Sequence, residues 1–149
     1  MSKFDDHKSA IEFIYGGNAV FTIKSLKTDK HFTYKVTQAK RERERDAAPY
    51  FVRVLAGPDN QDWAASQYIG FLKEYALPVD ADPLLAGKKG KPDAPSFKAL
   101  QWVLMKLYRR DMDGFEIMHE GRCCRCNRAL THPDSIKTGI GPECAKHFG

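Results

Sequence analysis

The strongest constraint on this chain lies at its C-terminal end, where all four of its cysteines are gathered. Cys123 and Cys126 form a C-x2-C pair, Cys144 and His147 form a C-x2-H pair, and 17 residues separate the two. Two short pairs of soft ligands across a loop of that length are what a tetrahedral Zn2+ site requires. The same stretch has few large apolar side chains, so an ion has to stand in for a core there. The remainder of the 149-residue chain is long enough to fold around its own core.

The ligand assignment has two open alternatives. Cys124 could replace Cys123 through a tighter C-x-C bite, and His132 could replace His147, although Thr131 and Pro133 make His132 read as a loop residue. Pro142 suits the first turn of a helix, which would place Cys144 and His147 on one face. Asn127, just after the second thiolate of the knuckle, tolerates a left-handed turn. Knuckle, loop and helix-borne ligands in that order resemble the treble-clef class of zinc fingers.

Four ligands close a site, so the zinc is expected to be structural and no catalytic residue is assigned. His119-Glu120 begins like a zinc-protease helix, but Cys123 stands where the second histidine belongs. Cys124 lies between Arg122 and Arg125, which would lower its pKa, yet no partner for nucleophilic catalysis can be placed beside it. On this reading Cys126→Ala or Cys144→Ala releases zinc, while Cys124→Ser does little.

Upstream, Asp5 and Asp6 cap a short helix to about Tyr15, stopped by Gly16-Gly17. Alternation over Val20–Leu26 and His31–Thr37 predicts a hairpin, with Phe21 and Ile23, then Phe32, Tyr34 and Val36, facing inward. Tyr50–Leu55 reads as a third strand, closed by a Gly57–Asn60 turn, and Tyr68–Leu72 as a fourth. Ser96 opens a helix to about Arg110 with Phe97, Leu100, Val103, Leu104, Leu107 and Tyr108 on one face. Trp102, within it, reads as core, and Trp63 as a loop aromatic that needs a partner. Phe115–His119 is a short strand leading into the knuckle.

The expected fold class is therefore α+β: a small antiparallel β meander packed by one amphipathic helix, with a C-terminal treble-clef-like zinc module. The boundaries are 1–76 for the N-terminal part, 77–95 for a Pro- and Lys-rich loop, 96–119 for the helix and short strand, and 120–149 for the zinc module.

The tail Gly121-Arg122-Cys123-Cys124-Arg125-Cys126-Asn127-Arg128-Ala129-Leu130-Thr131, then Pro133-Asp134-Ser135-Ile136 and Gly139-Ile140-Gly141-Pro142-Glu143-Cys144, resembles a family of uncharacterised domains from bacteriophage and actinobacterial proteins. Gly17–Thr22 and Tyr50–Leu55 also look like the N-terminal part of small phage proteins with this tail. Asn127 stands where that family usually has glycine, and Asp29 where a hairpin-turn glycine is common. The resemblance implies a phage-type zinc protein and leaves its activity open.

The formal charge is +5, which suits weak attraction to nucleic acid or acidic proteins. Cations concentrate in Lys88, Lys89, Lys91, Arg109 and Arg110, and again in Arg122, Arg125 and Arg128 on the knuckle. With Tyr108 and His119 as stacking surfaces, these could grip phosphates and bases. Lys40–Asp46 alternates in sign and reads as a self-neutralising surface. No apolar run approaches a membrane span, and clustered cysteines behind a polar start point to a reducing cytoplasm, that of the host if phage-encoded. Three functions follow: a non-enzymatic nucleic-acid-binding accessory protein, a modulator or inhibitor of a host enzyme or defence protein, or a nucleotide- or small-molecule-binding protein with its site on the meander.

Overall fold

The computed structural model describes residues 2–43, 47–55, 66–73 and 82–145. The Gly57–Asn60 turn, Trp63, the end of the charged 40–46 loop and His147 lie outside them.

The scaffold is one seven-stranded antiparallel sheet in the order β1-β7-β2-β3-β4-β5-β6. The expected hairpin is β2 (Asn18–Ser25) and β3 (His31–Gln38), with Phe21 opposite Tyr34 and Ile23 opposite Phe32. Asp29 takes a φ of 63° in its turn, the left-handed conformation a glycine would adopt, and its carboxylate meets Lys24 at 3.1 Å. The meander continues through β4 (Tyr50–Val54) and β5 (Gln67–Leu72). The strand β7 (Phe115–His119) returns to pair with β2.

Two strands escape sequence reading because each is only two residues long. The first, β1 (Ser2–Lys3), pairs with β7, and β6 (Leu84–Leu85) pairs with β5. Leu84 is fastened from both sides: its N–H donates to Oε1 of Gln101 at 2.9 Å, and Nε2 of Gln101 donates to its carbonyl at 2.8 Å.

Among the described residues, two helices cover the core face. Asp6 caps α1 (His7–Ile14) by accepting from the amides of Lys8 and Ser9, and Ala10, Phe13 and Ile14 turn inward. The second helix, α2 (Pro95–Tyr108), starts differently from expectation. Ala94 is its N-cap and Pro95 takes the first turn, because a fixed φ and a missing N–H suit that position. Ser96 is buried inside the turn instead, where its carbonyl accepts from the Tyr34 hydroxyl at 2.8 Å. Phe97, Leu100, Val103, Leu104 and Leu107 form the buried stripe. Trp102 falls off that stripe and is 45% exposed, resting edge-on against Phe115 with the Lys106 ammonium over its ring. Tyr108 is also exposed, its hydroxyl meeting that of Tyr15.

The other face of the sheet is polar near β2–β3, where Thr22 and Thr33 hydrogen-bond at 2.8 Å, and aromatic near β4–β5. A β-bulge produces the aromatic part. Val52 pairs with Gly70 and Arg53 with Tyr68, leaving Ile69 as the extra residue. Strict alternation would put Tyr68 and Phe71 on opposite faces; the extra residue sends both outward beside Phe51, while Ile69, Gly70 and Leu72 go to the core. Gly70 accepts no side chain, since a Cβ there would meet the Leu85 carbonyl and the Phe97 ring.

Candidate functional site

The C-terminal module begins as a tight hairpin. Arg122 bridges to Ala129, the Cys123 amide donates to the Arg128 carbonyl at 2.9 Å, and the Asn127 amide donates to the Cys123 carbonyl at 3.0 Å. Asn127 has a φ of 63°, as its place after the second thiolate requires. Two short helices follow, α3 (Pro133–Thr138) and α4 (Pro142–Ala145).

The sulfurs of Cys123, Cys126 and Cys144 lie within 4.8 Å of one another, the one group of this kind among the described residues, and could hold a metal ion. The amides of Arg125 and Gly141 point at the Cys123 sulfur at 3.5 and 3.3 Å. Burial disfavours the Cys123 thiolate, but hydrogen bonds from the Cys126, Gly141 and Arg125 amides outweigh it and bring the thiol down to about 7. Cys144 is pushed up to about 11 by desolvation and then by its two neighbouring sulfurs. Three sulfurs this close cannot all carry charge without a cation between them. A cation between them would relieve that repulsion.

The module's internal signals have separate structural jobs. Gly139 ends α3 in a left-handed conformation, φ 76°, and a Cβ there would overlap the Phe13 ring. Its carbonyl accepts from the Cys124 amide, Ile140 packs against the core, and Gly141 serves the Cys123 sulfur. Ser135 is buried. His132 caps α3, its Nδ1 accepting from the Asp134 amide at 3.3 Å, and it is not among the clustered ligands.

Cys124 packs into the hydrophobic core, is not one of the three clustered sulfurs, and is 1% exposed. Its sulfur fills the space that a side chain on Gly16 would need, and its carbonyl accepts from the Asn18 amide at 2.7 Å. Burial first, and then the neighbouring Cys123, Cys144 and Cys126 sulfurs, push its thiol up to about 12, opposite to what the flanking arginines suggest; its burial against Gly16 makes it a packing residue.

His119 is buried as well and offers no stacking surface. Its Nε2 lies 2.6 Å from the Ile136 carbonyl, and its Nδ1 accepts from the Gly121 amide at 3.0 Å. The tautomer is thereby fixed with the proton on Nε2. The ring packs against Phe4 and Phe13, and desolvation lowers its pKa. It ties β7 to α3 and has no part in a protease-type zinc site.

The basic candidates separate into groups. Arg122, Arg125 and Arg128 ride on the knuckle, beyond β7; the Arg122 guanidinium donates to the Asn127 carbonyl at 3.1 Å, closing its own turn. Arg109 and Arg110 end α2, Arg110 with a φ of 60°. Lys88, Lys89 and Lys91 stand after β6, at the opposite edge of the sheet from β1 and β7. They line a cavity of about 1100 Å³ on the outer face, together with Arg53, Phe51, Tyr68 and Phe71. Four cations and no carboxylate line it among the described residues. Sequence reading found the lysines but missed the aromatics, which an unseen bulge brings to their side.

A protein-family profile described as a family of unknown function (DUF6011) matches residues 115–149. The similarity is confined to β7 and the cysteine module. No curated protein and no solved structure matches the chain. Among the described residues, no helix is long and apolar enough to cross a membrane.

Proposed function

We infer that this is a non-enzymatic accessory protein, of the type found in phages, that binds nucleic acid in the cytoplasm and carries a structural zinc. The observation that carries the binding reading is the cavity on the outer sheet face, lined by Lys88, Lys89, Lys91 and Arg53 and, among the described residues, by no carboxylate. Such a surface attracts phosphates. Nothing comparable favours a host-protein partner.

Zinc is the metal that suits three thiolates. Bonds of about 2.3 Å at tetrahedral angles put sulfurs ~3.8 Å apart, compatible with the observed cluster. Cys123, Cys126 and Cys144 are the proposed ligands, with His147 as the fourth. The ion would fix the knuckle to α4 and supply no reaction.

The test is fluorescence anisotropy with labelled oligonucleotides across a salt series. Binding should weaken steeply with salt. The triple variant Lys88→Gln, Lys89→Gln, Lys91→Gln should lower the slope of log K against log[salt] by about 2, at ~0.7 per neutralised phosphate on a single strand. Absence of binding to any oligonucleotide at 20–50 mM salt, on the order of the lower end of such titrations, would remove this function.

A further inference from the structure

We propose that the outer sheet face is a base-stacking platform for single-stranded nucleic acid, with Phe51, Tyr68 and Phe71 as its stacking residues. The inference rests on the nucleic-acid reading above and goes beyond it, because charge alone does not distinguish a duplex from a single strand.

Phe51 and Phe71 face each other across β4 and β5, and Tyr68 sits opposite Arg53 one step along. The four residues form a two-by-two patch on one face. Phe51 is 43% exposed, although burying a phenylalanine is ordinarily favourable. Its ring centroid is 6.2 Å from that of Tyr68 at an interplanar angle of 62°, so the two rings present separate faces instead of covering each other. The Arg53 guanidinium is held in place, Nε donating to the Ser66 hydroxyl at 2.7 Å and Nη2 to the Ser66 carbonyl at 3.0 Å. The turn after β6 adds Lys88, Lys89 and Lys91 to the lining, each a point charge on a flexible stem.

That combination fits one ligand chemistry. Unpaired bases offer flat apolar faces every few ångströms along a chain of phosphates, which is what flat rings beside fixed and flexible cations can hold. A duplex hides those faces within its own stack and can meet only the cations. A protein partner would accept the rings, but the four cations in the described lining suit it only if its surface is acidic.

The experiment uses the full chain with four 12-residue probes: dT12, U12, an abasic 12-mer of the same charge, and a duplex of the same length. The expected result is that dT12 binds tighter than the abasic probe and the duplex. Phe51→Ala and Tyr68→Ala should each weaken dT12 binding roughly 5- to 100-fold, the range found for loss of one base–aromatic stack. Phe51→Tyr, which keeps a ring, should retain affinity, and circular dichroism melts would verify that these surface variants fold. Comparison of dT12 with U12 assigns the ligand to DNA or RNA. Equal binding of dT12 and the abasic probe, with the lysine variant still impaired, would overturn the platform and leave the nucleic-acid reading standing. Failure of all four probes would remove both. A dimer that Phe51→Ala dissociates and dT12 does not disturb would instead assign the face to self-association and overturn the proposal.

Discussion

Single side chains decide how firmly the module is joined to the sheet. Cys124 was expected to be a bystander, but its burial against Gly16 makes Cys124→Ser a core substitution. The hydroxyl would be buried among apolar groups, at a cost of about 1–3 kcal/mol. The expected outcome is a lower denaturation midpoint with full metal content, measured by chemical denaturation and elemental analysis of the same sample. His119 adds a pH dependence. Its pKa is lowered in the fold, so the unfolded chain binds the extra proton more readily. Stability from this residue is present above about pH 6.5, its unfolded value, and is lost as pH falls toward and through the lower folded value. The cause is desolvation of the buried ring, and a proton on Nδ1 would in addition confront the Gly121 N–H. Thermal melts should therefore drop between pH 7.5 and 5.5, and the drop should shrink in His119→Gln. An unchanged slope in that variant would assign the effect elsewhere.

Among elements, the C-terminal module was the most legible and β6 the least. The spacing of Cys123, Cys126 and Cys144 is local chemistry, and a knuckle leaves few ways to arrange it. The left-handed turns at Asn127 and Gly139 follow from residue type. The two-residue strands β1 and β6 carry no periodicity at all, and only partners distant in sequence define them. Because the module packs on Phe4 and Phe13 through Gly139, metal loss should reach beyond the ligands. Cys126→Ala and Cys144→Ala are each expected to lose the metal, and hydrogen exchange should then speed up in α3 as well as in the knuckle. One zinc per chain retained in Cys126→Ala would exclude this ligand set.

For the whole molecule, topology places the cysteine module and the aromatic face at different edges of one sheet. Chain order conceals this, since the lysine turn and the knuckle are both C-terminal to the meander. The separation gives the salt-titration experiment an internal control. Replacing Arg122, Arg125 and Arg128 by glutamine should change oligonucleotide affinity less than replacing the three lysines. A larger effect from the arginines would move the binding surface to the knuckle.

By itself, the sequence determined the antiparallel α+β class, the β2–β3 hairpin, the inward stripe of α2 up to Leu107, and which cysteines come together. Each rests on a pattern written in the chain: alternation, helical spacing, turn chemistry and the pairing of soft ligands. The tertiary structure alone decided that Cys124 and His119 are buried, that Trp102 is not, and that Tyr68 joins Phe51 and Phe71 outside. These depend on what arrives from elsewhere in the chain. Gly16 makes room for Cys124, Ile136 claims His119, and one extra residue at Ile69 turns a strand over. A period-two pattern cannot announce its own interruption, so the face proposed here to bind nucleic acid is the one that only the paired strands reveal.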